Sequence, residues 1–188
     1  MNHRWELIQA VIDKIGAQSY LEIGIADGVN LGHINCLTKT TIDPNQQATF
    51  KVTSDDYFQH HKRKYDVIFI DGNHEKEQVK RDINNSLECL SPNGVIITHD
   101  TLPLHESLLG ESLCWNAWEA FAYVRYTNPN VFAASVILDG DNTGCGIIKH
   151  GSQVLYDGPE VSGWKNFLQD RDKRMNVMPV EQVLASVQ

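Results

Sequence analysis

Two apolar segments that end in acidic and histidine side chains constrain the fold of this chain more than any other feature. The first follows Asp66, spans residues 67–70 and runs into Asp71 and His74, and the second, residues 95–98, runs into His99 and Asp100. Continuous apolar segments of this length are typical of strands that are covered on both faces of a parallel sheet. In open α/β sheets the ligand site lies just outside the carboxyl ends of the strands. The two segments therefore predict a metal or acid–base site at the end of a buried sheet.

Segments of strand character alternate with helical periodicity along most of the chain. A strand at residues 20–24 begins the alternation, and a further strand is expected within residues 48–53. Alternating β and α elements predict a mainly parallel sheet with helices on both faces. Residues 131–138 and 145–149 also have strand character, and the connection over residues 139–144 is short enough for an antiparallel hairpin.

Length and charge exclude several classes of protein. A chain of 188 residues fits a single domain with a sizeable core. The formal net charge of −8 disfavours binding to nucleic acids or to anionic membranes, which would require a basic surface. No apolar segment approaches the roughly 20 residues that cross a bilayer, and no signal peptide is visible at the polar N-terminus. We expect a cytoplasmic protein, and a homo-oligomer remains open.

The loop after the first strand carries glycines at positions 24 and 28. A dinucleotide-binding loop has the spacing G-x-G-x-x-G, whereas this loop has Ala26 at the middle glycine position and Asp27 next to it. Since an acid here would repel a diphosphate, a cationic or zwitterionic ligand fits better than NAD. Asp43, at the end of the second strand, is placed to accept hydrogen bonds from ribose hydroxyls.

The glycine loop and the strand ends together resemble the class I S-adenosylmethionine-dependent methyltransferases. Within that superfamily, residues 68–75 (IFIDGNHE) and 95–101 (VIITHDT) are similar to the metal-dependent small-molecule and sugar O-methyltransferases. The resemblance covers roughly residues 15–150. It implies an α/β, Rossmann-like fold with a mainly parallel seven-stranded sheet, helices on both faces and a C-terminal antiparallel hairpin. It also implies an S-adenosylmethionine-binding methyltransferase domain at residues 1–150 and an extension, residues 151–188, packed on it.

The resemblance assigns roles to individual residues. S-adenosylmethionine would be bound by a set of acids and glycines: Glu22, Gly24, Gly28, Asp43, Asp55 and Asp71. A divalent ion, Mg²⁺ or Mn²⁺, would be held by Asp71, His99 and Asp100. Mg²⁺ prefers oxygen ligands, whereas imidazole suits transition metals better, so His99 favours Mn²⁺. His74 would be the general base, a role that its usual pKa range suits, and Asp71 would act beside it in catalysis.

Simpler structural roles remain open for the same residues. Asp71 could cap the next helix or bind the cofactor alone. His74 could be an N-cap or loop histidine, and His99 could support the ligands from behind or be a core histidine. Glu22 and Asp43 could belong to turns or caps, and Asp55 could equally cap a helix.

Several functions also remain open at this point. The expected activity is methyl transfer from S-adenosylmethionine to a hydroxyl of a small molecule or sugar. A metal-independent methyltransferase and a non-catalytic S-adenosylmethionine-binding subunit are the alternatives. An NAD-dependent oxidoreductase is disfavoured because the glycine spacing differs. Sugars, sugar nucleotides, glycans and catechol-like compounds are all candidate acceptors.

Overall fold

The computed structural model describes residues 1–44, 47–160 and 163–187. In these residues a single sheet carries helices on both faces. The helices are α1 (Arg4–Ile15), α2 (Val29–His33), α3 (Ser54–His60), α4 (Lys76–Cys89), α5 (Ala117–Thr127), α6 (Trp164–Met175), α7 (Val180–Ser186) and a 3-10 helix at Glu106–Leu108. The strands are β1 (Ser19–Ile23), β2 (Thr38–Ile42), β3 (Tyr65–Ile70), β4 (Leu90–His99), β5 (Val131–Leu138) and β6 (Asp141–His150).

The order of the strands in the sheet is β2-β1-β3-β4-β6-β5. The first four of these strands are parallel, and β6 is antiparallel to both β4 and β5. Ile23 pairs with both Ile42 and Ile70, and Ile70 pairs with Thr98. The carboxyl ends of the four parallel strands are therefore level, and the side chains that follow them emerge next to one another.

Side chains of β3 alternate between two hydrophobic layers. Ile68 and Ile70 pack into the layer that contains α3, α4, α5 and α6, whereas Val67 and Phe69 pack into the layer that contains α1 and α7. All four are buried, as expected for a strand that is covered on both faces. The two layers hold the end of β3, and with it Asp71, in a fixed position.

The C-terminal helices complete these two layers. Phe167 and Met175 of α6 lie in the layer with α5, and Val183 of α7 lies in the layer with α1. All three are fully buried. Among the described residues, no helix combines the length and the apolar character needed to cross a membrane.

The expectation of seven strands is wrong for the described residues, where the sheet has six. Residues 48–53 contribute only an isolated parallel bridge between Phe50 and Ile42. The Thr49 amide donates to the hydroxyl of Thr41 at 2.8 Å, and the two hydroxyls contact each other at 3.1 Å. Because these side chains occupy the polar groups that a backbone ladder would use, the pairing stops after one residue. The expected mainly parallel, Rossmann-like sheet and its C-terminal antiparallel hairpin are confirmed.

Candidate active site

The loop after β1 turns sharply beneath the end of β3. Gly24 and Gly28 have φ values of 83° and 76°, in the left-handed region that glycine adopts without strain. The amide of Gly28 donates to the carbonyl oxygen of Ile25 at 2.7 Å. A β-carbon at Gly24 would lie 2.1 Å from the carbonyl oxygen of Asp71. The loop can take this path only with a glycine at position 24.

A cavity of about 410 Å³ opens at the carboxyl ends of β1, β2 and β3. This volume lies within the range of small-molecule sites. Of the residues assigned to the cofactor by sequence, Gly24, Asp43 and Asp71 line it. Oδ2 of Asp43 accepts a hydrogen bond from the amide of Ile25 at 2.9 Å. This bond ties the acid at the end of β2 to the glycine loop of β1.

Glu22 lies behind this loop and is not among the residues that line the cavity. Its carboxylate accepts hydrogen bonds from the Tyr20 hydroxyl at 2.8 Å and from the Asn30 amide at 3.2 Å. Burial raises the pKa of Glu22 to about 7, although both hydrogen bonds act in the opposite direction. Since Asn30 belongs to α2, Glu22 connects β1 to the helix that follows the glycine loop.

Asp55 lies on the outer side of α3. Its carboxylate is 3.3 Å from Nε of Arg81 and accepts a hydrogen bond from Gln78 at 3.2 Å. The side chain is 46% exposed. The structure therefore does not bring Asp55 into the cavity, although the neighbouring Thr53 and Ser54 line it.

Four residues from the two strand ends meet in one cluster. Nε2 of His74 is 3.4 Å from Oδ1 of Asp71 and 3.3 Å from Oδ2 of Asp100. Nδ1 of His99 is 3.4 Å from Oδ1 of Asp71 and 3.1 Å from Oδ2 of Asp100. The remaining nitrogen of His74, Nδ1, contacts the carbonyl oxygen of Leu113. The acids and histidines that the sequence singled out thus lie within contact distance of one another.

The charges in this cluster reinforce one another. Burial alone would lower the pKa of His74 and of His99, but the neighbouring carboxylates outweigh it and raise both. Burial alone would raise the pKa of Asp71 and of Asp100, but the contacts with the histidines hold both below the ordinary value. The acids therefore remain ionised, and they favour a positive charge between them.

Asp100 has a strained backbone. Its φ is 58°, in the left-handed region, and its side chain is largely buried. Aspartate and asparagine visit this region more readily than other residues that carry a β-carbon. Sγ of Cys114 donates to Oδ1 of Asp100 at 3.5 Å. Strain of this kind clusters at functional sites, where the surrounding structure imposes it.

Asp141 is a member of the site that sequence reasoning missed. Its Oδ2 is 2.7 Å from Nε2 of His99. The expected connection between the hairpin strands covered residues 139–144, which placed Asp141 in a loop. In the structure β6 already begins at Asp141, after the turn formed by Asp139 and Gly140. Asp-Gly between two strands is itself a signal for a two-residue hairpin turn, and it would have placed Asp141 in the strand.

A second cavity, of about 390 Å³, lies on the other side of the cluster. It is lined by residues from the N-terminus, the end of β4, the loop before α5 and the hairpin turn: Asn2, His3, Arg4, Trp5, His99, Asp100, Leu108, Leu113, Gly140, Asp141, Asn142 and Thr143. Asp71 lines the first cavity and Asp100 the second. His74 contacts both acids and therefore connects the walls of the two cavities.

The donor set of this cluster fits a divalent cation. The ligand atoms of Asp71, His74 and Asp100 lie within 4.8 Å of one another. Nδ1 of His99 is buried without a hydrogen-bond partner among the described residues, and it faces carboxylates of Asp71 and Asp100. A cation between these groups would give that nitrogen a partner. Carboxylate oxygens combined with imidazole are ligands that Mn²⁺ accepts.

The sheet order, the glycine loop and the two strand ends define the Rossmann-like fold of the class I S-adenosylmethionine-dependent methyltransferases. The family model described as "Methyltransferase domain" matches residues 35–101. This span contains Asp43, Asp71, His74, His99 and Asp100. The match agrees with the resemblance to methyltransferases that the motifs indicated.

Solved structures of methyltransferases have the same fold. An O-methyltransferase from Bacillus cereus in complex with S-adenosylhomocysteine is 16% identical, with a TM-score of 0.60 over 79% of this chain and 80% of the other. The O-methyltransferase TomG from Streptomyces achromogenes, in complex with S-adenosylmethionine and involved in tomaymycin synthesis, is 14% identical, with a TM-score of 0.58 over 78% and 79%. The S-adenosylhomocysteine-bound methyltransferase PaMTH1 from Podospora anserina is 15% identical, with a TM-score of 0.57 over 81% and 80%. No curated protein sequence matches the chain.

Proposed function

We propose that this protein is an S-adenosylmethionine-dependent O-methyltransferase that acts on a hydroxyl of a small molecule or sugar with the help of a divalent ion. The observation that carries the proposal is the position of Asp71, His74 and Asp100 between two cavities. One cavity has the size and strand-end location of a cofactor site, and the other is open to an acceptor. Methyl transfer is an in-line displacement, and it needs a donor and a nucleophile on opposite sides of the reacting carbon.

S-adenosylmethionine would occupy the cavity at the ends of β1, β2 and β3. Asp43 would accept hydrogen bonds from the ribose hydroxyls, and Gly24 lets the ligand approach the backbone closely. A sulfonium is a cation, and the ionised Asp71 on the cavity wall favours it electrostatically. The similar structures from B. cereus and S. achromogenes contain this cofactor or its product, which supports the same ligand here.

The ion would be held by Asp71, His99 and Asp100. When bound, a divalent ion supplies a lowered pKa for an acceptor hydroxyl and a fixed orientation for its oxygen. Nδ1 of His74 donates to the carbonyl of Leu113, because a carbonyl oxygen can only accept. Nε2 is then the nitrogen that faces the cluster, and it would take up the proton of the hydroxyl as the general base.

The acceptor would enter the second cavity, which His99 and Asp100 line. Trp5, Leu108 and Leu113 give this cavity apolar surface, whereas Asn2 and Asn142 give it polar groups. Such a mixed lining suits a small molecule that carries both a ring face and hydroxyls. Sugars and catechol-like compounds are therefore the acceptor classes that we propose.

The test combines cofactor binding with methyl transfer. Calorimetry measures S-adenosylmethionine affinity, and formation of S-adenosylhomocysteine is followed with catechol, 3,4-dihydroxybenzoate and a nucleotide sugar as acceptors. We expect turnover that exhaustive chelation abolishes and Mn²⁺ restores, with cofactor affinity nearly unchanged by chelation. Turnover that survives chelation would support a metal-independent methyltransferase instead. Cofactor binding without turnover on any acceptor would favour a non-catalytic binding subunit.

A further inference from the structure

Asp141 is held rigidly at the first position of β6. Its Oδ1 accepts hydrogen bonds from the amide of Thr143 at 2.8 Å and from the Thr143 hydroxyl at 2.6 Å. Its Oδ2 is 2.7 Å from Nε2 of His99. Both carboxylate oxygens of Asp141 are therefore occupied by groups within the protein, and its orientation is fixed.

The contact with Asp141 fixes which nitrogen of His99 faces the acidic cluster. Since a carboxylate can only accept, Nε2 of His99 carries the hydrogen of the 2.7 Å contact. Nδ1 then points toward Asp71 and Asp100, at 3.4 and 3.1 Å from their oxygens. Nδ1 is also buried without a hydrogen-bond partner among the described residues. This is the geometry of a histidine that binds a metal through one nitrogen and donates to a carboxylate through the other.

We propose that Asp141 is a positioning residue that makes His99 an Nδ1 ligand, so that the ion site selects Mn²⁺ or a similar nitrogen-accepting divalent ion over Mg²⁺. The inference rests on the ion site of the proposed function and goes beyond it by assigning a role to a residue outside the predicted ligand set. It depends on the preference of Mg²⁺ for oxygen ligands over imidazole.

A different arrangement, in which Asp141 itself binds an ion with Cys145 and His99, fits the structure less well. The ligand atoms of these three residues do lie within 4.8 Å of one another. However, both oxygens of Asp141 already accept hydrogen bonds, and Cys145 is fully buried in β6. Asp141 therefore acts through His99.

The experiment measures Mn²⁺ and Mg²⁺ affinities of the wild-type protein and of Asp141→Asn by calorimetry. The matched control is Asp139→Asn, an exposed acid two residues away in the same turn. We expect wild type to bind Mn²⁺ at least about tenfold more tightly than Mg²⁺. In Asp141→Asn, Mn²⁺ affinity should fall about 10–100-fold, as is typical when the partner of a ligating histidine is lost. The loss for Mg²⁺ should be smaller, and Asp139→Asn should match wild type.

The Mn²⁺ to Mg²⁺ ratio separates positioning from damage to the fold, because a misfolded site loses both ions equally. Thermal unfolding of each variant checks the fold independently. If wild type shows no preference for Mn²⁺, or if Asp141→Asn leaves the ratio unchanged, the inference is overturned while the ion site of the proposed function stands. If neither ion binds to wild type while S-adenosylmethionine does, the ion site fails and the inference with it.

Discussion

Gly24 and Asp71 approach each other so closely that no side chain fits between them. A β-carbon at Gly24 would lie 2.1 Å from the carbonyl oxygen of Asp71 and 2.6 Å from Cα of Gly72. Both obstacles are backbone atoms of the segment that follows β3, and they cannot turn away as a flexible side chain could. The position of Asp71 in the candidate active site therefore depends on a glycine at position 24, at the end of the neighbouring strand β1.

Gly24→Ala should displace Asp71 and weaken cofactor binding. We expect the free energy of unfolding to fall by about 3 kcal/mol or more, from overpacking and from the left-handed φ of this position. Chemical denaturation measures this loss, and calorimetry the loss of S-adenosylmethionine affinity. Gly32→Ala is the control, because Gly32 is an exposed position in α2 where an added β-carbon would meet no atom within 4 Å. That variant should be as stable as wild type or slightly more stable, and equal losses in both variants would contradict the prediction.

Glu22 should make the stability of the protein depend on pH. Burial raises its pKa from 4.5 to about 7 in the folded state, so folded Glu22 holds its proton more tightly than unfolded Glu22. This contribution to stability is present in full below pH 4.5 and is lost as the pH rises through about 7. Each unit of pKa shift corresponds to about 1.4 kcal/mol, so the loss amounts to about 3 kcal/mol.

Glu22→Gln removes this titration while retaining a side chain of similar shape. Its free energy of unfolding relative to wild type should therefore rise between pH 4.5 and 7.5, as measured by urea denaturation across that range. Glu88→Gln changes an acid whose side chain is 67% exposed, and its curve should run parallel to that of wild type. A Glu22→Gln curve that also runs parallel would show that Glu22 is not the titrating group.

Local patterns were sufficient to predict the mainly parallel sheet and the proximity of Asp71, His99 and Asp100 at its edge. The apolar segment of β3 and the acid that follows it both depend on short-range sequence, and parallel pairing then brings Asp71 next to His99 and Asp100. Two features depend on long-range geometry instead. The contact of Asp141 with His99 arises because antiparallel pairing places His99 opposite Cys145, and a shift of the turn by a few residues would remove it.

The absent seventh strand has a similar explanation. Residues 48–53 contain the β-prone residues that predict a strand, but the Thr41 hydroxyl occupies the backbone amide of Thr49. Composition does not reveal that competition. The burial of Glu22 likewise depends on Tyr20 and Asn30, which surround it. An acid that follows an apolar residue in the sequence does not by itself predict such burial.

Asp43 and Asp55, both assigned to the cofactor by sequence, should differ in their effects on binding. Asp43 lines the cavity at the end of β2, whereas Asp55 contacts Gln78 and Arg81 on the outer side of α3. Asp43→Ala should weaken S-adenosylmethionine binding about 10–100-fold, since hydrogen bonds to a charged group contribute about 1.5–3 kcal/mol. Asp55→Ala should bind within a few-fold of wild type. Calorimetry with both variants decides between the two positions, and the reverse order would place the cofactor elsewhere.

Because the backbone of Asp100 is in the left-handed region, Asp100→Asn and Asp100→Ala should differ in stability. Asp100→Asn keeps a residue that tolerates a φ of 58°, whereas Asp100→Ala does not. We expect Asp100→Ala to be less stable than Asp100→Asn by about 1–2 kcal/mol, the cost of the left-handed region for a residue with a β-carbon. Both variants lose the carboxylate beside His74 and His99, so the difference between their stabilities measures the effect of the backbone conformation alone. Equal unfolding midpoints would mean that Asp100 relaxes out of this conformation.

His74→Gln tests the general base without disturbing the cofactor cavity, which His74 does not line. Glutamine can still donate to the carbonyl of Leu113, but it cannot accept a proton from the acceptor hydroxyl. We expect kcat to fall about 10²–10⁴-fold with the acceptor that supports turnover, as is typical when a general base is removed. S-adenosylmethionine affinity should stay within about twofold of wild type. The matched control is His60→Gln, an exposed histidine at the end of α3 that lines neither cavity, and it should leave kcat unchanged. If kcat is unchanged in His74→Gln, His74 is not the general base, and the carboxylates of Asp71 and Asp100 become the candidates for accepting the proton.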